Sequence, residues 1–304
     1  MLAAAMKSSC SHAALRQSRG VRTWARVPVL VPVLALVLAM GACETISPIN
    51  PAGVAEVDDA SAAAASSANI GSLSDVIARN PDDPQAYNTR GAAYARAGRF
   101  NDAINDFSRA VRINPNFAAA YVNRGLAHRQ IGKNDLAFGD FNRAIQADPN
   151  YPAAYLARGN LYRAQGNMQS ANEDLSQALR LKPDMAEAYH GRGLIHQLQG
   201  QHPLAISDFD AAIDRNPYVA PPYLGRGQSL NAIGKFEQAL EDFTATLNID
   251  NRQADGWAGR GYALDRLGRK AEANEAYQRA LNLNPNVVLP KDASVSRGGF
   301  GLFR

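Results

Sequence analysis

Arginine and aspartate side chains recur along the chain at a constant interval of 34 residues. The arginines are Arg90, Arg124, Arg158, Arg192, Arg226 and Arg260. The aspartates are Asp106, Asp140, Asp174, Asp208 and Asp242, and the series ends at Ala276. A row of guanidinium groups could form a track for anions, because a guanidinium can hold a carboxylate through two parallel hydrogen bonds. The matching interval of the aspartates favours the other interpretation, a ladder of ion pairs that joins helices.

The histidines and cysteines do not form a catalytic or metal-binding motif. His190 and His196 are six residues apart, so they do not share a helix face at a three- or four-residue spacing. His128 and His196 occupy equivalent places in the interval and are interpreted as packing residues. Both cysteines, Cys10 and Cys43, precede the repeated part. The sequence also contains no Ser-His-Asp arrangement and no phosphate-binding loop, so we expect no enzyme activity, no cofactor and no metal.

Prolines mark the same 34-residue interval. They are Pro81, Pro115, Pro149, Pro183, Pro217 and Pro285, with Asn251 at the place where one is missing. A period of this length is typical of a solenoid of stacked helix pairs. Counting from Pro84 divides the chain into six units, which are 84–117, 118–151, 152–185, 186–219, 220–253 and 254–287.

Several positions within the units repeat together, and each has a physical role. The fourth position is aromatic, the eighth and fifteenth are glycine, the twentieth is alanine and the twenty-fourth is large, as in Tyr87, Gly91, Gly98, Ala103 and Phe107. A glycine within a helix costs about 1 kcal/mol relative to alanine. Its presence at the eighth position therefore indicates that another helix packs against bare backbone there. The fifteenth-position glycine can take a positive φ and reverse the chain.

This combination of positions resembles the tetratricopeptide repeat (TPR) family over residues 84–287. The resemblance implies an all-α fold, a right-handed α-solenoid of helix-turn-helix units. Residues 70–83 align with a second helix, because a shift of one interval places Leu73 on Phe107. We therefore expect residues 70–83 to form an N-terminal capping helix.

The tail, residues 288–304, contains Pro290 and several glycines, so we expect no complete capping helix there. The last second helix, with Tyr277, Leu281 and Leu283, would then lack a cover, although terminal repeats need a protected outer face. Two hypotheses follow. Either the tail residues Phe300, Leu302 and Phe303 fold back onto this helix, or two chains pair there as a homodimer.

By the same resemblance, the first helices build a concave groove, and their second, fifth, ninth, twelfth and thirteenth positions point into it. A groove of mixed polar and aliphatic side chains suits an extended peptide or a partner helix. Some chaperone-binding TPR domains hold a terminal carboxylate with Lys and Asn, but here only Asn88 matches while Ala92 and Val122 depart. The candidate groove residues are Asn88, Leu126, Arg129, Leu156, Asn160, Arg163, His190, Leu194, Gln197, Leu224, Gln228, Asn231, Tyr262 and Arg266.

Residues 1–42 have the composition of a secretory signal peptide. Basic residues precede an apolar run from Val27 to Met40, and two small residues follow it. The run is shorter than the roughly 20 apolar residues of a transmembrane helix. The formal charge of +4 comes from this segment, which holds five basic residues and no acidic one. The remaining chain is close to neutral, so we expect no nucleic-acid partner.

The end of the leader, Met40-Gly41-Ala42-Cys43, resembles the lipobox of bacterial lipoproteins. The resemblance implies cleavage before Cys43, acylation of that residue and a lipid-anchored membrane location. Because Glu44 is not aspartate, sorting rules of the same kind imply the outer membrane, with the protein facing the periplasm. Plain secretion and an uncleaved inner-membrane anchor are the alternatives.

Residues 43–69 are rich in Ala, Ser, Pro and Gly and nearly free of large apolar side chains. Such a segment cannot bury enough surface to offset its ordering entropy, so we predict a disordered linker between the lipid and the repeats. The sequence as a whole predicts a non-catalytic scaffold or adaptor of the bacterial envelope. The alternatives are a self-associating structural envelope protein and an adaptor anchored in the inner membrane.

Overall fold

The structure is a computed structural model that describes residues 59–289, with side chains from Asn69 onward. Within that range it contains α-helices and no strand. The first helices of the six units are α2 (Pro84–Arg96), α4 (Ala118–Gln130), α6 (Pro152–Ala164), α8 (Ala186–Leu198), α10 (Ala220–Ala232) and α12 (Ala254–Arg266). The second helices are α3 (Phe100–Ile113), α5 (Asn134–Ala147), α7 (Met168–Leu181), α9 (His202–Arg215), α11 (Phe236–Ile249) and α13 (Lys270–Leu283). An additional helix, α1 (Asp59–Arg79), precedes them. The predicted all-α solenoid is confirmed.

The turn inside each unit is made by the predicted glycine. Gly98 has φ 70°, and the five equivalent glycines lie between 71° and 80°. In unit 1 the backbone N–H of Arg99 then donates to the carbonyl of Tyr94 at 2.9 Å, a bond that satisfies an end carbonyl of α2. An L side chain rarely adopts this φ, so glycine is required at this position.

The glycines inside the first helices let an aromatic ring lie directly on the backbone. A Cβ added at Gly193 would lie 2.8 Å from Phe209, and one at Gly125 would lie 2.5 Å from Phe141. These rings are completely buried and form the centres of their units. The packing confirms the predicted close approach of helices at the eighth position.

The first helices form one continuous layer. Each first helix contacts the first helix of the next unit, whereas no contacts join the second helices of neighbouring units within the described range. The layer of first helices is therefore the tighter, inner one, and its exposed surface is the concave groove.

The amino-terminal helix is longer than predicted. α1 begins at Asp59 and continues through Asn69 without interruption, so the prediction of a disordered linker over 43–69 is wrong for 59–69. The cause is the run of alanines after Ser61, which have the highest helix propensity and extend a helix that packing already holds at its other end. That other end covers α2 as expected, with Ile77 buried. Residues 1–58, including Cys43, lie outside the described residues.

The last unit is better covered than predicted. Of the residues expected to lack a cover, Tyr277 is completely buried and Leu283 is 43% exposed, so the expectation is wrong for Tyr277. The chain turns back after α13, so that Val287 is buried and Leu289 packs against Trp257 and its neighbours. Phe300, Leu302 and Phe303 lie outside the described residues.

No helix in the described part of the chain is long and apolar enough to span a membrane.

Candidate functional site

The periodic arginines form ion pairs with the periodic aspartates. Arg90 donates through Nε and Nη2 to both carboxylate oxygens of Asp106, each at 2.8 Å. Equivalent pairs at 2.6–3.1 Å join Arg124 to Asp140, Arg158 to Asp174, Arg192 to Asp208 and Arg226 to Asp242. We call these five pairs and Arg260 the arginine stack. The interpretation of this ladder as internal ion pairs is confirmed.

Each paired arginine also reaches back to the preceding unit or to α1. Nη1 of Arg90 donates to Ser74 at 3.0 Å, and Nη1 of Arg158 donates to Asn142 at 2.7 Å. Nη1 of Arg226 meets a second carboxylate, Asp210, at 2.5 Å. One guanidinium therefore joins its own first helix, the second helix of its unit and the helix before it. The stack stabilises the contacts between units.

The carboxylates of the stack are buried, and its paired arginines are partly buried. The guanidinium groups lie 5.4–5.9 Å from the centroids of the fourth-position rings, as cation–π partners. The hydrogen bonds to Asp208 raise the pKa of Arg192 above its ordinary value, although burial opposes the shift. Burial is the largest influence on Asp242 and raises the pKa of its carboxyl group, although Arg226 opposes it. Partners so enclosed are not available as a track for ligand anions.

The sixth arginine of the stack has no counter-ion at the equivalent position. Ala276 replaces aspartate. Thr244 stands at the place of the polar side chain that Nη1 of the other arginines reaches, but its hydroxyl donates to the carbonyl of Leu240. Nε of Arg260 is buried without a hydrogen-bond partner among the described residues, and its guanidinium lies over Trp257. Unit 6 therefore keeps the cation of the stack but lacks the aspartate.

The histidines of the eleventh position have internal contacts. Nδ1 of His128 lies 2.9 Å from Asp140, and Nδ1 of His196 lies 2.8 Å from Gln201. They pack beside the stack, as interpreted. In the described part of the chain, no group of three or more His, Cys, Asp or Glu residues is arranged to hold a metal ion.

Three of the candidate groove residues use their side-chain amides for internal hydrogen bonds. Nε2 of Gln197 donates to the carbonyl of Gly225 at 3.0 Å, and Nδ2 of Asn231 donates to the carbonyl of Gly259 at 3.1 Å. Both are twelfth-position side chains that clamp the next first helix. At the amino-terminal end, Asn88 accepts a hydrogen bond from Asn123 at 2.9 Å. These candidate residues hold neighbouring units together.

The twelfth-position arginines of units 2 and 3, unlike Gln197 and Asn231, do not clamp the next first helix. Neither Arg129 nor Arg163 makes a hydrogen bond or an ion pair with any residue that the structure describes, and Nε of Arg163 is buried. Burial and the nearby charge of Arg129 lower the pKa of Arg163. Burial and Arg163 together lower the pKa of His190 to about 4, so this imidazole is neutral at pH 7. His190 packs beside Phe209, with ring centroids 5.9 Å apart.

The remaining candidates line the groove in three ways. Leu126, Leu156 and Leu224 pack partly into the hydrophobic core. Asn160 and Leu194 are partly exposed, and Gln228 is exposed. Tyr262 packs edge-on against Phe236, and Arg266 lies 5.3 Å from the same ring.

A cavity of about 270 Å³ opens between units 1 and 2. Its wall includes Ala92, Ala95, Phe100, Phe107 and Leu126. Of these wall residues, Leu126 is a candidate groove residue, and Ala92 and Ala95 stand at predicted groove positions without being among the candidates. The signal that could have indicated the cavity is the pair of small side chains, Ala92 and Ala95, at groove positions where units 2 and 3 carry larger ones.

The thirteen helices of residues 59–289, a 34-residue period and an inner layer of first helices define an α-solenoid of helix pairs. Models described as tetratricopeptide repeat match residues 70–116, 89–152, 186–218 and 254–287, and one described as TPR repeat matches 159–200. The chain is a member of the tetratricopeptide repeat family. TPR proteins are generally non-catalytic scaffolds for protein–protein interaction.

Solved structures share this fold at low sequence identity. The APC/C hetero-tetramer Cut9–Hcn1 aligns with a TM-score of 0.64 and 18% identity over 75% of this chain, which spans 46% of that chain. PilF of Pseudomonas aeruginosa aligns with a TM-score of 0.62 and 16% identity, over 67% of this chain and 93% of that one. YrrB is described as a TPR protein with an unusual peptide-binding site. It aligns with a TM-score of 0.51 and 22% identity, over 59% of this chain and 93% of that one. No curated protein matches the chain.

Proposed function

We propose that this protein is a non-catalytic scaffold that holds a protein or peptide partner in its concave groove. The observation that carries the proposal is the continuous inner layer of six first helices, with polar and aliphatic side chains such as Asn160, Leu194 and Gln228 on its surface. Such a surface offers hydrogen bonds to a peptide backbone and apolar contacts to its side chains. The peptide-binding site named for YrrB supports the same use of the fold.

The test of the groove compares a site on the first helix of unit 5 with a site on the second helix of unit 4. A photo-crosslinking residue is placed at Gln228, on the groove, or at Leu204, which is 53% exposed on the second helix α9. The full-length chain is irradiated in its native cells, and adducts are separated by mass. We expect discrete adducts from Gln228 and none from Leu204. Equal yields at both sites, or none at Gln228, would contradict the proposal.

We also propose that the scaffold is anchored by an acylated Cys43 to the outer membrane and faces the periplasm of a Gram-negative bacterium. The support is the resemblance of Met40-Gly41-Ala42-Cys43 to a lipobox. The test is the mass of the amino-terminal peptide of protein extracted from membranes. An acylated peptide that begins at Cys43 is expected, and the Cys43→Ser variant is expected to lose the modification. An unmodified amino terminus or an intact leader would overturn the proposed lipid anchor.

Self-association through the last unit is the second candidate. It is favoured by two exposed apolar side chains at that end, Leu283 at 43% and Val288 at 89%. The complete burial of Tyr277 reduces the apolar area left for such a contact. Sedimentation separates the candidates, because a structural role through this surface requires a tight dimer that Val288→Ser weakens, whereas the scaffold requires none.

A further inference from the structure

The two arginines of the groove have no hydrogen-bond or ion-pair partner among residues 69–289. Arg129 and Arg163 occupy the position at which Gln197 and Asn231 clamp the next first helix, yet they make no such bond. Their charges are close enough to influence each other, and one Nε is buried. Two like charges held together without a counter-ion are unfavourable for the fold, and an anion from outside would relieve them.

The charge of the groove differs between its two ends. At the predicted groove positions, units 1–3 carry Arg96, Arg129 and Arg163 and no acidic residue. The same positions in units 4–6 carry three acids and one arginine, and Asp265 among them pairs with Lys270 at 2.7 Å. The cationic end is therefore the complementary surface for an acidic ligand.

The apolar cavity lies at the same end of the groove. Leu126 forms part of its wall, and Arg129 follows three residues later on α4, so the two side chains share one face of the helix. The wall also includes Arg96, so a side chain that enters the cavity would lie close to Arg96 and Arg129. A phosphate backbone offers no apolar side chain for this cavity, whereas a peptide does.

We propose that Arg129 and Arg163 bind a side-chain carboxylate of an acidic peptide, and that an apolar side chain close to it in the peptide fills the cavity lined by Ala92, Ala95 and Leu126. The inference rests on the proposed peptide-binding function and defines the chemistry of the ligand. Guanidinium groups suit this task because they donate paired hydrogen bonds to a carboxylate.

The experiment selects ligands without assuming one. A random peptide library displayed on phage, with each peptide joined to the coat protein by its carboxyl end, is panned against the full-length chain and against Arg129→Gln/Arg163→Gln. A matched variant, Arg143→Gln/Arg180→Gln, has the same net charge, because it removes two exposed arginines from the second helices of the same units. We expect the wild type and the matched variant to enrich peptides with an acidic residue near an apolar one. The groove variant is expected to lose the acidic preference.

Binding constants then measure each contribution with one enriched peptide, labelled with fluorescein. Arg129→Gln and Arg163→Gln are each expected to raise Kd about tenfold, as for loss of a hydrogen bond to a charged group. Ala95→Leu, which fills the cavity, is expected to weaken binding of the same peptide, and circular dichroism checks that each variant is folded. A labelled oligouridylate serves as the phosphate probe.

The outcomes separate the two proposals. If no peptide is enriched by any form of the protein, the proposed peptide-binding function fails. If peptides are enriched without an acidic preference, or the preference persists in the groove variant, the groove binds peptides but this inference is wrong. Oligouridylate binding that depends on Arg129 and Arg163 would also overturn the inference, in favour of phosphate recognition.

Discussion

Two sets of arginines lie on the same first helices, five residues apart, and the protein treats them in opposite ways. Arg124 of the stack and Arg129 of the groove belong to α4, while Arg158 and Arg163 belong to α6. The stack arginines are held by a carboxylate, a second polar group and an aromatic ring. The groove arginines have no counter-ion among the described residues.

The difference shows that residue type alone does not identify a binding site. A periodic arginine whose partner repeats at the same period is part of the architecture, because the same contact stabilises every unit. The twelfth position, which holds Arg163 and Gln197, varies from unit to unit, so its arginines are not part of a repeated contact. The stack should therefore control stability, and the groove should control binding.

The largest expected effect comes from removing one aspartate of the stack. Asp208→Ala gives unit 4 the residue that unit 6 already has and leaves Arg192 enclosed without its counter-ion. We expect a loss of about 3 kcal/mol in the free energy of unfolding, since breaking a buried pair leaves an uncompensated charge. Urea denaturation measures the change.

The control for this variant is on the same helix. Asp214 of α9 is exposed, and Asp214→Ala should change the free energy of unfolding by less than about 0.5 kcal/mol. A further substitution, Arg192→Leu in the Asp208→Ala background, should recover part of the loss because it removes the unpaired charge. Equal effects of Asp208→Ala and Asp214→Ala would show that the stack does not stabilise the fold.

The second prediction concerns pH and the groove. His190 has a pKa of about 4 in the folded protein, below its ordinary 6.5, because burial and the charge of Arg163 disfavour the imidazolium. The unfolded chain binds a proton below pH 6.5 and the folded chain does not, so stability is lost as the pH falls from 6.5 to 4. Between pH 7 and pH 5 the loss should be about 2 kcal/mol.

The measurement for His190 is a difference between two proteins. The free energy of unfolding of the wild type minus that of His190→Leu is determined by urea denaturation at several pH values between 7.5 and 4.5. Other titrating groups contribute to both proteins and largely cancel. A difference that stays constant with pH would mean that His190 is protonated as readily in the folded as in the unfolded state.

The third prediction completes the stack. Ala276→Asp places a carboxylate at the position from which Asp242 binds Arg226, and Arg260 is already present to receive it. We expect the free energy of unfolding to rise by about 1.5 kcal/mol, as for a hydrogen bond to a charged group. Ala276→Asn, which has the same shape without the charge, should give a smaller gain. No gain from either would show that Trp257 alone satisfies Arg260.

Much of the fold follows from the 34-residue period, because each repeated residue type answers a local requirement. Gly98 must take a positive φ, Gly193 must admit Phe209, and Arg192 must meet Asp208 at a fixed offset. These requirements repeat in every unit, so the pattern identifies them together. Sequence periodicity is thus well suited to predicting the stack.

The groove was predicted less completely, because its contacts depend on the distance between neighbouring first helices. Gln197 reaches the carbonyl of Gly225 only at the spacing that the packed helices adopt. Sequence position placed Gln197 and Arg163 in the same class of groove residue, although one clamps the solenoid and the other does not. The cavity beside Leu126 also arises from missing volume, which a list of residue types does not reveal.

The smallest expected change in stability tests the difference between the two sets of arginines most directly. Arg163→Gln gives unit 3 the amide that unit 4 has at Gln197, and the carbonyl of Gly191 occupies the place of the carbonyl of Gly225. The variant removes a partly buried, repelled cation and adds one internal hydrogen bond. We expect the free energy of unfolding to rise by about 1 kcal/mol, measured by urea denaturation.

A gain in stability at Arg163 would identify the arginine as a residue kept at a cost to the fold. Functional sites commonly carry such a cost, because groups left unpaired for a ligand destabilise the free protein. The same Arg163→Gln variant should bind an acidic peptide more weakly, so stability and binding should change in opposite directions. A loss of stability instead would place Arg163 with the stack arginines, as a structural residue, and the division between the two sets would fail.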